Sequence, residues 1–479
     1  MIYLDGEHLS CAEIAAAAQA GDEVRLTADA RERIASSHER ACRLSGLRQL
    51  YGRSTGVGAN RDVAVTGVVP HALSLLRSHA TSAGELRSPE RVRAMLVVRA
   101  NQLAAGGSGA SPRLVDALLA MLTADALPLV RELGSIGTGD LPALATTALA
   151  LIGEAPTANP LPATVELGAH DALPFLSSNA AAVADAAVGC TELIELSRAY
   201  VVVAALTFTA IRGNSEAFSQ LADRTTPFAG ARRTSRWMRS LLGPPTTAAR
   251  IQDPFSVRAL PQVHGPFVDA LHSLDDVVRR LANAPAENPV VLANAAGEDD
   301  AAHHGGFHAA YLTSALTSVA TSAASSAKLV LGRLSLLNDP ELTGLRPFLA
   351  DEAPAASGVM MLEYVAASAL ARLRTAATPV GLQAVVLSRG MEDDASFASL
   401  AARQAIDVAE GLRVMLGCEL VAAVRALRQS GDTPLSGRLE RAVAVTRAEL
   451  PEGFADRDLS ADIERAQELM GSLAELLAQ

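Results

Sequence analysis

The chain has 479 residues, of which 49% are hydrophobic and only 3% are aromatic, so it is long enough for a large core and two or three subdomains. A core built mainly from Ala, Leu and Val suits close-packed helices better than a sheet. The net charge of −11 argues against nucleic acid as the main partner, because phosphate backbones are bound by excess positive charge.

The amino-terminal segment has no basic region followed by an apolar run, so no signal peptide is predicted. The most membrane-like stretch, residues 200–211, is too short to span a bilayer and predicts a core helix. The cysteines are far apart and match no metal-ligand spacing, which predicts free buried thiols in a reducing cytoplasm. They are Cys11, Cys42, Cys190 and Cys418. We therefore expect a cytoplasmic protein with no membrane partner.

The sequence pattern of the amino-terminal third predicts helices joined by glycine-rich loops. Ser10 and Glu13 form a capping-box pattern at the start of a short helix that Gly21 would end. Thr27 is the predicted N-cap of a second helix. A glycine-rich loop follows at residues 51–58. A longer apolar pattern at residues 113–133 predicts a further helix.

The loop at residues 134–141 reads Gly-Ser-Ile-Gly-Thr-Gly-Asp-Leu. Its glycines allow backbone conformations that side chains would forbid. Asp140, followed by Pro142 in the first turn, predicts the N-cap of a helix over residues 141–153. Such a loop at the positive end of a helix can bind an anion or polarise an electrophile built from the loop itself. An ordinary connection between two helices is the alternative.

A Pro/Thr/Ala connector at residues 156–166 predicts a boundary between a domain of residues 1–165 and a long-helix domain of residues 166–479. Beyond it, apolar residues recur at helical spacing on nearly all faces, as in helices buried in a bundle or an oligomer. Helices are predicted at residues 181–207, 268–282, 309–335, 354–376, 397–429, 437–450 and 460–477, and loops at 243–263, 283–307 and 387–394. The predicted fold class is all-α.

The loops carry motifs that resemble, in the same order, those of the aromatic amino acid ammonia-lyase and aminomutase family. They are Tyr-Gly-Arg-Ser-Thr-Gly-Val-Gly at 51–58, Ser-His at 78–79, Gln-Asp-Pro-Phe-Ser-Val-Arg at 252–258, Pro-Gln-Val-His-Gly at 261–265, Gly-Gly-Phe-His at 305–308 and Met-Glu-Asp at 391–393. The resemblance covers nearly the whole chain. It implies an all-helical fold with a long central bundle, in a homotetramer whose active sites are each assembled from three subunits.

The resemblance implies that Tyr51 is the catalytic base and that Arg258 binds a substrate carboxylate. A guanidinium can bind a carboxylate through two parallel hydrogen bonds. A phenol with a pKa of about 10 needs a lowered pKa to act near neutrality, and helix N-termini around the pocket would lower it. Further implied substrate-binding residues are His79, Ser177, Asn179, Gln252, Phe255, Phe307, Met391 and Glu392. Ser177 stands where the family has an asparagine, unless Asn179 takes that role.

The family's electrophile is a methylidene-imidazolone (MIO), formed autocatalytically from Ala-Ser-Gly. Here Gly137, Thr138 and Gly139 occupy a stretch that is one residue shorter. The residue types allow the Gly139 amide to attack the Gly137 carbonyl, and dehydration of Thr138 would then give a bulkier, less reactive alkylidene. Phe255 also replaces a family tyrosine. The only cofactor implied is this internal group; no external cofactor is expected.

The acidic and histidine residues at 298–308 lack a defined helical spacing, so a solvated loop is favoured there over a metal site.

Three functions remain open. The first is a lyase or aminomutase that acts on an amino acid through an MIO variant made at Thr138. The second is an MIO-free enzyme that uses Tyr51 and Arg258 for an elimination, cyclisation or isomerisation of an amino acid-like metabolite. The third is a non-catalytic homologue, against which the presence of both Tyr51 and Arg258 argues.

Overall fold

The computed structural model describes residues 1–19, 23–65, 68–244, 247–431, 435 and 437–478, without the side chains of residues 68–70. Its helices are α1 Cys11–Ala18, α2 Ala28–Ser45, α3 Val68–His79, α4 Pro89–Ala104, α5 Pro112–Thr123, α6 Leu141–Leu151, α7 Ala172–Leu176, α8 Ala180–Ala210, α9 Gln220–Arg224, α10 Ala229–Leu242, α11 Phe255–Arg258, α12 Leu260–Ala282, α13 Ala310–Leu337, α14 Pro340–Thr343, α15 Met360–Ala376, α16 Ala398–Gln429, α17 Gly437–Glu449, α18 Ser460–Glu468 and α19 Met470–Glu475. Its strands are β1 Ile2–Leu4, β2 Val24–Leu26, β3 Ala83–Leu86, β4 Arg131–Leu133, β5 Val290–Ala293 and β6 Asp299–Ala302. The all-α fold class is confirmed, since the strands among the described residues are short and form three two-stranded sheets, β1–β2, β3–β4 and β5–β6.

The predicted caps of the first two helices are confirmed. The backbone N–H of Glu13 donates to Ser10 Oγ, and the backbone N–H of Ser10 donates to Glu13 Oε2. The Thr27 hydroxyl oxygen accepts from the backbone N–H of Ala30 at the start of α2. Gly21, the predicted end of the first helix, lies outside the described residues.

Several predicted element boundaries are wrong, as three examples show. The helix expected over residues 113–133 ends at Thr123, because Asp125 adopts a φ of +50° and the chain then enters β4. The expected loop 283–307 contains the β5–β6 hairpin, whose turn is closed by a hydrogen bond from the Gly297 N–H to the Asn294 carbonyl. The expected loop 243–263 contains α11 and the start of α12, since proline is tolerated in a first helical turn.

The chain divides into two compact units, each built from three segments. Unit 1 comprises Met1–Thr191, Leu274–Leu316 and Pro379–Arg403, and unit 2 comprises Glu192–Ser273, Thr317–Thr378 and Gln404–Gln479. The predicted domain of residues 1–165 falls within the first segment of unit 1, whereas residues 166–479 are shared between both units. The six strands found among the described residues all belong to unit 1.

A buried ion pair lies in the core of unit 2. Arg333 on α13 and Glu419 on α16 are joined by two hydrogen bonds of 2.6 and 2.7 Å, and neither side chain is more than 1% exposed. The Arg333 guanidinium also lies over the Tyr200 ring, which stacks on His264 at 4.4 Å. Burial lowers the pKa of His264 to about 3, so this imidazole stays neutral beside the guanidinium.

The stretch Ala172–Ala210 is long and apolar enough to cross a membrane, judged by length and composition alone. In the structure 78% of its most apolar window is buried inside the protein. The stretch 200–211 is mostly the end of the 31-residue helix α8, which agrees with the helix predicted over residues 181–207. Its burial agrees with the predicted role as a core helix.

Candidate active site

A cavity of about 800 Å³ in unit 1 brings together most of the predicted site residues. It is lined, among others, by Tyr51, His79, Thr138, Ser177, Phe307, Met391 and Glu392. This volume lies in the range of small-molecule sites. The predicted residues that do not line it are Gly137, Gly139, Asn179, Gln252, Phe255 and Arg258.

Tyr51 is held in the cavity by the glycine-rich loop that carries it. Its hydroxyl oxygen accepts a hydrogen bond of 2.7 Å from the backbone N–H of Gly58, which has a φ of +55°. The carboxylate of Glu392 also acts on this phenol. Burial raises the pKa of Tyr51, the Gly58 N–H lowers it, and Glu392 raises it further. The prediction of a lowered pKa is therefore wrong for the single chain, because desolvation of the phenolate outweighs the donor.

The loop at residues 134–141 is tied to the start of α8 by Asp140. Asp140 directly precedes α6, as predicted, but its carboxylate makes no capping hydrogen bond to that helix, since its ψ of 48° is not the extended geometry of an N-cap. Instead it accepts from Ser135 Oγ at 2.6 Å and from the backbone N–H of Ala182 at 2.8 Å. Burial raises the pKa of Asp140. The loop is thus an ordered connection between two helix starts.

Thr138 stands at the tip of this loop and faces the cavity. Its hydroxyl donates a hydrogen bond of 3.0 Å to Glu392 Oε2. The carbonyl of the preceding Gly137 accepts from Ser396 Oγ at 2.9 Å and from the Ala309 N–H at 3.4 Å. The loop is therefore held on both sides of Thr138.

Gly137 has no room for a side chain. A Cβ built there would lie 2.1 Å from Ser396 Oγ and 2.8 Å from the Phe397 nitrogen, and the φ of Gly137 is +87°. Gly297 has a similar φ of +82° but nothing within 4 Å of its Cβ position. Comparing a substitution at Gly137 with one at Gly297 therefore distinguishes the cost of a positive φ from the cost of steric overlap.

We expect Gly137→Ala to destabilise the protein clearly more than Gly297→Ala, as measured by urea unfolding. Each substitution should lower the free energy of unfolding by about 1–2 kcal/mol, because it places a side chain at positive φ. Gly137→Ala should lower it by a further amount of about 1–3 kcal/mol, because the added Cβ overpacks the site. Equal losses of stability in the two variants would contradict the close packing around Gly137.

Ser177, not Asn179, faces the cavity. Ser177 Oγ accepts from the backbone N–H of Asn288, while the buried Asn179 side chain accepts from Gln102. Helix α7, which ends just before Ser177, is fixed by the buried Arg99. Arg99 donates to the carbonyls of Pro174 and Phe175. Asn179 therefore does not line this cavity, because its side chain is buried in the packed interior.

His79 closes α3 at the edge of the cavity. Its Nδ1 lies 2.9 Å from the carbonyl of Leu75, one helical turn earlier. A carbonyl can only accept a hydrogen bond, so Nδ1 carries a proton. His79 is thus oriented by its own helix and retains one nitrogen for a ligand.

Gln252, Phe255 and Arg258 line a separate depression in unit 2. The Arg258 guanidinium carbon lies 4.1 Å from the centroid of the Phe255 ring, and the ring is 67% exposed. The buried Nε of Arg258 has no hydrogen-bond partner among the described residues. This guanidinium, stacked on an aromatic ring, is suited to bind a carboxylate.

Some cavity residues were not predicted to belong to the site. Ser388 Oγ accepts from the Ala59 N–H, and His303 Nε2 accepts from the Tyr51 N–H. His303 belongs to the acidic and histidine-rich segment that was expected to be a solvated loop. That segment is instead anchored by ion pairs of Asp299 with Arg43 and Arg40. Only proximity in space links Ser388 and His303 to Tyr51, so single-residue patterns could not identify them.

Comparison with known proteins identifies the family. Residues 9–448 match the family model of aromatic amino acid lyases. A histidine ammonia-lyase from Geobacillus thermodenitrificans is 31% identical over 97% of this chain and 96% of its own length. Among solved structures, histidine ammonia-lyase from Trypanosoma cruzi has a TM-score of 0.92 at 24% identity, covering 99% of this chain and 94% of that one. An ergothioneine-degrading enzyme, ergothionase from Treponema denticola, has a TM-score of 0.91 at 24% identity over the full length of both chains. The chain therefore belongs to the aromatic amino acid lyase family and is an enzyme of the carbon–nitrogen lyase type.

Proposed function

We propose that this enzyme eliminates an amine from an amino acid-like substrate without an MIO group, with Tyr51 as the base. The observation that carries the proposal is the hydrogen bond from the Thr138 hydroxyl to Glu392. It brings a carboxylate next to Thr138, the residue that stands in the family's electrophile stretch. A carboxylate at this position attracts a cationic nitrogen and does not bond to it covalently.

The residues of the loop do not fit the MIO group. The alanine of the family triad has no place at position 137, because a Cβ there would overlap Ser396. The hydroxyl that dehydration would remove is engaged with Glu392. The stretch is also one residue shorter than the family motif. We therefore assign Thr138 the role of orienting the Glu392 carboxylate toward the cavity.

The charges around the cavity favour a substrate whose nitrogen remains cationic. Its described lining includes four carboxylates, those of Asp62, Glu392, Asp393 and Asp394, against the single guanidinium of Arg61. An amine that stays cationic in the bound substrate can leave without a covalent partner if it is already a good leaving group, such as a trialkylammonium. A structural relative is described as an ergothioneine-degrading enzyme, so this fold is not restricted to the substrates of histidine ammonia-lyases.

In this reaction Tyr51 takes a proton from the carbon next to the one that bears the nitrogen. The electrons of that C–H bond form the new double bond, and the C–N electron pair leaves with the amine. The products are an unsaturated acid and a free amine. We propose that Arg258 binds the substrate carboxylate in a cytoplasmic homotetramer with shared active sites, so that this arginine comes from a second copy of the chain.

Two measurements test the proposal. The intact mass, with a peptide map across residues 134–141, is expected to show no loss of water. Elimination should be faster with N,N,N-trimethyl derivatives of histidine or tyrosine than with the parent amino acids or their β-isomers. A deficit of two water molecules located at residues 137–139, or turnover of the primary amines alone, would overturn it.

A further inference from the structure

Two buried cysteines and one aspartate meet in unit 1, outside the cavity. Cys11 is the first residue of α1, Cys190 lies on α8 and Asp275 lies on α12. Their two sulfur atoms and one carboxylate oxygen all lie within 4.8 Å of one another. Cys11 and Cys190 are buried, and Asp275 is half-buried. The two cysteines are 179 positions apart in the sequence, so the predicted absence of a metal-ligand spacing did not exclude this cluster.

We propose that Cys11, Cys190 and Asp275 form a binding site for a thiophilic divalent cation of the Zn²⁺ type. Zn²⁺ binds thiolate at about 2.3 Å and carboxylate oxygen at about 2.0–2.2 Å in a tetrahedron. Such bond lengths place neighbouring ligand atoms roughly 3.3–3.8 Å apart. The atoms of this cluster lie within 4.8 Å of one another, so a bound ion would need to draw them closer by only about 1 Å.

The donor set selects the class of metal. Thiolates are soft ligands that favour Zn²⁺ and related ions, whereas Ca²⁺ and Mg²⁺ require oxygen donors. Three protein ligands leave the fourth position of a tetrahedron for water. The partial exposure of Asp275 provides the route by which the ion and this water enter.

The local structure keeps the ligands in place without the ion. The capping box of Ser10 and Glu13 fixes the start of α1, and Cys11 Sγ lies 3.9 Å from the backbone carbonyl of Asp275. The first turn of α1 is thus already packed against α12. A cation at this point would join α1, α8 and α12, and its expected role is to stabilise unit 1.

The test uses the purified full-length enzyme, incubated with Zn²⁺, desalted and analysed for metal content per chain. Cd²⁺, which gives a thiolate-to-metal charge-transfer absorption, provides a spectroscopic readout. We expect one ion per chain and a higher melting temperature with Zn²⁺. Removing a direct ligand by Cys11→Ser or Cys190→Ser should weaken binding by more than the about 10- to 100-fold that outer-shell partners cost.

Cys418→Ser is the matched control, because Cys418 is also a buried thiol but lies in unit 2. It should keep both the ion and the Zn²⁺-dependent rise in melting temperature. If a cysteine variant fails to fold, Asp275→Asn, at a half-buried position, carries the same test. The proposal is overturned if the wild type retains no Zn²⁺, if the ligand variants bind as well as the control, or if the two cysteines form a disulfide that excludes the ion.

Discussion

Tyr51→Phe is expected to lower kcat/KM by about 10²- to 10⁴-fold, the range in which a positioned acid or base contributes. The substitution removes one hydroxyl, whose only described hydrogen bond is with the Gly58 N–H. Its cost to stability should therefore be about 0.5–1.5 kcal/mol, so that loss of activity is separated from loss of fold. The measurement is the initial rate with the best substrate of the elimination screen, at matched thermal stability.

Tyr3→Phe provides the control for this substitution, because Tyr3 is exposed on β1. It should leave kcat/KM unchanged. A Tyr51→Phe enzyme that keeps more than about a tenth of wild-type kcat/KM would rule out Tyr51 as the base, since a general base contributes more than this.

The pH dependence of Tyr51 gives a second readout that a packing role would not produce. Burial and the nearby Glu392 raise the pKa of this phenol, so that at neutral pH only a small fraction is the phenolate. The value of kcat/KM should then increase with pH over the range below that raised pKa. In Tyr51→Phe this alkaline increase should be absent from the residual rate.

The long helices of this fold were predictable because their pattern repeats over many turns. Helices α8, α13 and α16 each run for about 30 residues, and their apolar positions recur at helical spacing throughout. The β5–β6 hairpin was missed because each of its strands has four residues. Over such a length alternation cannot be distinguished from a loop, and the turn at Gly297 was the only local signal.

The candidate site was predictable where a motif carries its own chemistry, as at Tyr51, Thr138 and Glu392, which line one cavity. It was not predictable where function depends on the direction of a side chain. Ser177 and Asn179 are two residues apart and both are buried, but only Ser177 lines the cavity. The raised pKa of Tyr51 likewise depends on desolvation of the phenol in the folded protein, which cannot be predicted from a sequence pattern.

The second large effect is expected in the core of unit 2. Arg333→Met should destabilise the protein by about 3–5 kcal/mol, because it leaves the fully buried carboxylate of Glu419 without its cation. One donor remains, since the Thr207 hydroxyl donates to Glu419 at 2.7 Å. The substitution also removes the hydrogen bond from the guanidinium to the Tyr200 hydroxyl. The free energy of unfolding is measured in urea at fixed protein concentration.

Two further variants distinguish a buried charge from lost packing. Arg465→Met removes an exposed ion pair with Glu468 in the same unit, and it should cost only about 0–1 kcal/mol. The double variant Arg333→Met/Glu419→Met removes both charges, and should recover most of the loss because methionines can fill the space without desolvated charge. If the double variant is as unstable as Arg333→Met alone, packing and not the unpaired carboxylate would dominate, and the ion pair would act mainly as a packing contact between α13 and α16.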